Sequence, residues 1–352
     1  MGRGDTHKVM VITGGNGPLG LSIAKKLMKE VDSDIRLTLV ITSRRFASAK
    51  DALKELTEFS RSLERKVTVE FDYLLFDQTD MVSVFGATTE LKQRYSHIDC
   101  IFLHSSYPGF IGISLKNFVK DFSKDPIKTF STGETMKIQE RTKIGSDGMT
   151  IPFEANIFAP WFMINELIPL LSNGGKVIYF SSSIATGDHF SRDNIPLVDH
   201  DHAYEACKYE MECLQRATYK KLLDEHGVET WIMHPGVFVS NQTVYATIAL
   251  WMTISAYIMF YICRWCGSQD HTIYPELSAH TPVWMALEAD KNKDDMAIKY
   301  GSGCDRLGRP VVQKHHTYLD DNDVTSVYSY VEGLRKEWKE KLKGQIVARK
   351  NS

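Results

Sequence analysis

Short β-branched runs alternate with amphipathic stretches along most of the chain, and that alternation leaves few folds open. "KVMVIT" (8–13), "IRLTLVIT" (35–42), "KVTVEFDYLLFD" (66–77), "IDCIFLHS" (98–105), "GKVIYFSS" (175–182) and "VETWIMHPG" (228–236) read as strands. Helical spacing falls between them at 19–31, 46–63, 79–95, 151–171 and 203–226. In the first helix Leu19, Ile23, Leu27 and Val31 share a face. A charged excursion at 107–150 has no clear period, and a last strand is expected near 297–302. Strands alternating with helices give a parallel sheet covered on both faces. The expectation is an α/β fold, a doubly wound parallel sheet of Rossmann type with an added apolar lobe. Three stretches are distinguished within one domain: a cofactor-binding core at 1–243, the apolar segment at 244–290, and a last strand with a basic helix at 291–352.

In such a sheet the first strand-to-helix turn cradles a pyrophosphate on the amides of a helix N-terminus. Thr13-Gly14-Gly15-Asn16-Gly17-Pro18-Leu19-Gly20 stands at that turn. Gly14 permits the tight turn, and Gly20 lets helix and strand approach. Pro18 fits if it opens the helix, where its missing N–H costs nothing. The same glycines suit a turn that binds nothing, but their place after the first strand and before an amphipathic helix is the one the motif requires. At the end of the second strand, NAD sites want Asp or Glu and NADP sites an arginine. Thr42-Ser43-Arg44 offers hydroxyls and a guanidinium without an acid, which selects NADPH.

"HAYEACKYEM" places Tyr204 and Lys208 at i, i+4 on one helix face. A free phenol with a pKa of about 10 is a poor acid at neutral pH, and a neighbouring ammonium is expected to lower it. Ser182 ends a strand at the carboxyl edge of the sheet, where ligands bind. Asn156 lies in the helix before that strand, and Pro235-Gly236 follows the next one.

Together the glycine turn, Asn156, Ser182, Tyr204-x₃-Lys208 and Pro235-Gly236 resemble the short-chain dehydrogenase/reductase superfamily. Within it "FDYLLFDQTDMVSV", "FEANIFAP", "KYGS" and "LRKEWKEKLKGQIV" look like the fungal 3-keto-steroid reductases of ergosterol biosynthesis. The resemblance implies an oxidoreductase that reduces a 3-ketosterol, formed during C-4 demethylation, to its 3β-alcohol. It implies Tyr204 as proton donor, Ser182 as partner of the carbonyl oxygen, Lys208 on the nicotinamide ribose, and Asn156 as anchor of a proton-relay water. Leu19 and Gly20 would meet the phosphates or ribose, and Thr42 and Arg44 the adenosine phosphate. Gly14, Asn16 and Ser43 complete that end, and Asp77 would meet the adenine. Val237 and Ser240 would meet the nicotinamide. His104 stands where the superfamily has asparagine, and its imidazole is expected to take over that residue's structural hydrogen bonds. The superfamily's usual spacing would put the serine near Ser191 in "DHFSRDN", but that stretch is polar loop, whereas Ser182 directly follows a strand. By the same resemblance the chain works at the cytosolic face of the endoplasmic reticulum membrane and on lipid droplets. Other C-4 demethylation enzymes and oxidosqualene cyclase are the partners it implies.

The balance of 42 basic and 44 acidic residues, formally −2, gives no field for nucleic acid. Six scattered cysteines read as reduced thiols, and the lone C-x-x-C at Cys263 and Cys266 lacks a second pair for a metal. The first apolar run is too short for a signal peptide. Residues 244–263, "VYATIALWMTISAYIMFYIC", carry no charge. Three readings stay open for them: a sterol-lined lobe, a pair of membrane-dipping helices, and a full span. A span is disfavoured, because it would separate the last strand from its sheet. Val324, Val327, Tyr328, Val331, Leu334, Trp338, Leu342 and Ile346 repeat at helical spacing opposite a basic face. That suits an interfacial helix or one packed on the domain.

Overall fold

The computed structural model describes residues 6–125, 129, 137–239 and 250–343. Eight strands form one sheet in the order β10-β9-β8-β7-β4-β1-β2-β3. The strands are β1 (His7–Ile12), β2 (Arg36–Ser43), β3 (Val69–Leu75), β4 (Cys100–Leu103), β7 (Lys176–Phe180), β8 (Glu229–His234), β9 (Lys299–Cys304) and β10 (Pro310–His315). All neighbours run parallel except the last pair, β9 with β10. Val11 pairs with Val40 on one side and Ile101 on the other, so β1 is central. The expected doubly wound fold is what the chain adopts.

Helices cover both faces: α1 (Pro18–Glu30), α2 (Phe46–Arg61), α3 (Met81–Arg94), α5 (Ala159–Leu171), α6 (Ala203–His226), α8 (His280–Leu287) and α9 (Asp321–Lys341). On one face Ile23, Leu27 and Leu56 pack with Trp231 and Tyr300. On the other, Phe153, Phe158, Phe162 and Leu214 pack with Val327 and Val331. Each such aliphatic or aromatic chain contributes about 1.5–3 kcal/mol by leaving water.

Order reverses between β1 and β4, because β2 and β3 lie to one side of β1 and β4 with its successors to the other. The crevice beyond the carboxyl ends of those strands is where a doubly wound sheet binds ligands. Thr13, His104 and Ser182 all follow such ends.

Three segments depart from the sequence reading. The excursion at 107–150 holds a hairpin, β5 (Phe110–Ile113) with β6 (Lys137–Gln139), and helix α4 (Leu115–Phe122). A further strand, β10, follows β9 and pairs with it antiparallel. The C-terminal helix α9 packs on the domain: Val327, Val331, Trp338 and Leu342 are buried, and Tyr209 on α6 donates to Asp323 at 2.9 Å. Its apolar face is therefore in the core, and the interfacial-helix reading of that face falls. Ile346 lies outside the described residues. Of the apolar segment, the structure describes helix α7 (Leu250–Trp265). No helix among the described residues is long and apolar enough to cross a membrane.

Candidate active site

The glycine turn is built for close approach. Gly14 takes φ +64°, a left-handed conformation that suits glycine, and its amide donates to Thr42 Oγ1 at 3.0 Å. A Cβ on Gly20 would lie 2.6 Å from Gly15 Cα, so α1 can touch the turn only with glycine there. Pro18 is the first residue of α1 and Gly17 its cap, as the missing N–H demands. No side chain caps that terminus, so its amides remain available to a ligand. Leu19 is buried in the core, which leaves its backbone rather than its side chain for any phosphate.

His104 braces the turn from beneath. Its Nδ1 bonds the Thr13 carbonyl at 3.3 Å and its ring meets Phe180 edge-on at 5.3 Å. Burial holds its pKa down to about 4, so the imidazole is neutral. Next to the turn a cavity of about 180 Å³ is lined by Gly14, Asn16, Thr42, Ser43, Arg44, Arg45 and Ser48. It adjoins a cavity of about 370 Å³ whose wall includes Arg44, Asp77, Ser105 and Tyr107. One Asp77 oxygen is tied to the Thr79 amide and hydroxyl, at 3.0 and 2.8 Å. An uncapped helix terminus, glycines that keep the approach open, and a hydroxyl-and-guanidinium cavity fit a dinucleotide.

Ser182, Tyr204 and Lys208 come together where β7 ends against the start of α6. The Ser182 hydroxyl lies near enough to the Tyr204 phenol to favour its ionised form. Lys208 donates to the Phe180 carbonyl at 2.7 Å, and its Nζ stands over the Tyr204 ring, 5.5 Å from the centre. This geometry corrects the sequence expectation for the phenol. Burial, aided by the Glu205 carboxylate, pushes the Tyr204 pKa up to about 12, and the Ser182 hydroxyl opposes this only in part. Lys208 itself is pulled down to about 8 by burial. The ammonium gives one of its N–H groups to a carbonyl and faces the ring, and desolvation of the phenol outweighs its charge. Ser191 is elsewhere: exposed, it caps a 3-10 turn through the Asp193 amide.

Asn156 lies in a π turn, Glu154–Phe158, that leads into α5. Its Oδ1 accepts from Ser106 Oγ and the Tyr107 amide, each at 2.8 Å, and its Nδ2 donates to the Tyr107 carbonyl at 2.9 Å. The side chain is thus committed to clasping the loop after β4. Val237 follows β8, its amide bonded to the Asp270 carbonyl at 2.7 Å. Ser240 lies outside the described residues.

Sequence reasoning missed two sets of neighbours. Gln139 of the hairpin accepts from the Tyr204 amide at 3.0 Å and donates to Glu205, while Phe110 packs on the Tyr204 ring at 5.2 Å. No period in that excursion announced them. The second set is Glu212 on α6 and Lys299 on β9, a buried pair at 2.8 Å behind Ser182. Glu212 extends the Tyr204, Lys208 stripe by one more turn, a signal the sequence did carry.

No family model matches the chain. Solved structures share the fold. One is a Pseudomonas aeruginosa protein described as an "RhlG/NADP active-site complex", at TM-score 0.55 and 15% identity over 86% of this chain and 96% of that one. Another is an uncharacterised protein from Mycobacterium paratuberculosis, at TM-score 0.56 and 15% identity over 94% and 93%. Curated relatives reach further. The chain is 33% identical over 342 residues to a 3-keto-steroid reductase of Kluyveromyces lactis, covering 97% of each. It is 34% identical over 342 residues to that of Candida glabrata, again 97% of each. With the reductase ERG27 of Saccharomyces cerevisiae it shares 31% over 345 residues, covering 97% and 98%. A Rossmann-type core with serine, tyrosine and lysine at one strand end, together with these matches over 97% of its length, places the chain in the fungal 3-keto-steroid reductase family of short-chain dehydrogenases/reductases.

Proposed function

We propose that the protein reduces the C3 ketone of sterol intermediates to the 3β-alcohol during C-4 demethylation in ergosterol biosynthesis, using NADPH. The observation that carries this reading is the full-length match to 3-keto-steroid reductases in a chain whose Ser182, Tyr204 and Lys208 meet at the ligand-binding edge. A nicotinamide bound at the glycine turn would supply the hydride. Ser182 Oγ holds the ketone oxygen and stabilises the charge that develops on it. Tyr204, protonated across the physiological range, delivers its proton to that oxygen. Lys208 would hold the ribose hydroxyls. Arg44, exposed and beside the small cavity, supports a 2′-phosphate and hence NADPH.

Location belongs to the same proposal. Ile254, Ile258, Ile262 and Trp265 are exposed along α7 at helical spacing, which supports contact with the cytosolic face of the endoplasmic reticulum and with lipid droplets. The other C-4 demethylation enzymes are the proposed neighbours there.

The test is a panel of 3-ketosterols, 17-ketosteroids and 3-ketoacyl thioesters, presented to the purified chain with NADPH. Preferential 3β-reduction of the sterols is expected. A faster thioester or 17-ketosteroid would overturn the substrate, and no turnover of any ketone would overturn the enzyme.

A further inference from the structure

Three successive residues at the end of β7 are pinned from outside their own strand. Lys208 on α6 holds the Phe180 carbonyl at 2.7 Å. Glu212, one turn further along α6, accepts from Ser181 Oγ at 2.5 Å. Lys299, the first residue of β9, donates to the Ser182 carbonyl at 3.1 Å and to Glu212 at 2.8 Å. Lys299 reaches from two strands away, since β8 lies between β7 and β9.

Both ends of this pair are deeply buried, with 6% and 2% of the Lys299 and Glu212 side chains exposed. Burying a charge pair is a poor way to stabilise a fold, because well-packed apolar side chains of similar size do as well or better. What the pair provides is direction. A carboxylate and an ammonium anchor the Ser181 side chain and the Ser182 carbonyl, one on each side of the Ser182 Cα, and so limit how far the backbone carrying Ser182 Oγ can shift. Beyond them the Ser182 side chain has the Tyr204 phenol nearby and a weak bond, 3.4 Å, from the Ile184 amide. Oxyanion donors act by standing ready at the position that charge will occupy, so an unpinned serine loses rate before it loses binding.

We infer that Lys299 and Glu212 are positioning residues for the reduction, holding the Ser181–Ser182 backbone so that Ser182 Oγ meets the ketone oxygen. The inference rests on the role proposed for Ser182 and goes beyond it, extending the working stripe of α6 to Tyr204, Lys208 and Glu212. Neither new residue touches substrate. Lys299 acts through the serine, so its effect vanishes once the serine hydroxyl is gone, while Glu212 also helps keep Lys208 charged.

A double-mutant cycle tests this on whichever ketone the panel finds fastest. Lys299→Met should lower kcat by about 10- to 100-fold, the scale of an ångström-level misplacement, with the NADPH Kd from fluorescence unchanged. In a Ser182→Ala background the same change should cost less than about twofold, because coupled sites are not additive. Lys299→Met alone strands the Glu212 carboxylate and risks misfolding. The paired variant Lys299→Met with Glu212→Leu removes both charges and carries the same expectations. The inference is overturned if the folded paired variant keeps wild-type kcat, or if its loss multiplies with that of Ser182→Ala. In both cases the role of Ser182 stands. A silent Ser182→Ala, or a chain that turns over no ketone, overturns both.

Discussion

Lys208 stands over the face of the Tyr204 ring, its nitrogen 5.5 Å from the ring centre. Burial drives the two groups apart on the pH scale, the phenol up to about 12 and the ammonium down to about 8. The proton donor therefore stays loaded at any working pH, and the lysine is the group that titrates. Ketone kcat/KM should fall above about pH 8 as Lys208 loses its proton, and Lys208→Arg should move that limb outward. A profile flat to pH 10 would refute the assignment.

Tyr204→Phe removes the phenol and keeps the ring that Phe110 packs on, so the fold and NADPH binding should survive. The kcat should drop by about 10²–10⁴-fold, the usual contribution of a positioned proton donor. Ser182→Ala should cost roughly 10²-fold or more, as a lost oxyanion donor does. Ser191→Ala should be near silent. Steady-state rates on a 3-ketosterol decide among them, and an essential Ser191 would place the reacting oxygen elsewhere.

Arg44→Ala should narrow the preference for NADPH over NADH, because a charge-assisted bond to a 2′-phosphate is worth about 1.5–3 kcal/mol. Catalytic efficiencies with both cofactors give the answer. Equal use of the two by the unaltered chain would remove the role given to Arg44.

Glu210 on α6 is fully buried, and neither carboxylate oxygen has a hydrogen-bond partner among the described residues. Burial raises its pKa well above the ordinary value of 4.5, so the folded chain keeps a proton that the unfolded chain releases. Stability from this group is whole below about pH 4.5 and declines as pH rises, by up to about 1.4 kcal/mol per unit. Glu210→Gln cannot ionise and should lack that decline. Denaturant unfolding at pH 5, 6.5 and 8 should show its advantage growing with pH. A constant difference would mean that Glu210 is charged in the fold.

Ile254 and Ile258 are 51% and 55% exposed on α7. Replacing both with Asp should sharply reduce flotation with liposomes of endoplasmic-reticulum composition and leave NADPH affinity intact. Undiminished flotation would move the membrane contact off this helix.

The inner strands β2, β4, β7 and β8 were legible because they are covered on both faces and read as largely apolar runs. β10 was not: "PVVQKH" opens with proline, lies at the sheet edge, and mixes polar with apolar residues. The hairpin at 110–139 escaped because it is short, irregular in register and interrupted by α4. At the site, Ser182 could be preferred to Ser191 because strand ends face ligands, and Tyr204 with Lys208 because helix spacing is local. Two things were out of reach. Charge proximity along a helix suggested a lowered phenol pKa, but where the ammonium points and how much water is lost are tertiary facts. Lys299 joins Ser182 across 117 positions, a pairing no local pattern encodes.

That long reach has a consequence in time. A ribosome delivers Ser182, Tyr204, Lys208 and Glu212 first, then the whole apolar lobe, and only afterwards Lys299. A nascent chain paused within the lobe already displays the tyrosine and lysine, yet its serine carbonyl has no cation to hold it. Closure of β9 onto β8 is therefore the late step that brings Lys299 to the Ser182 carbonyl.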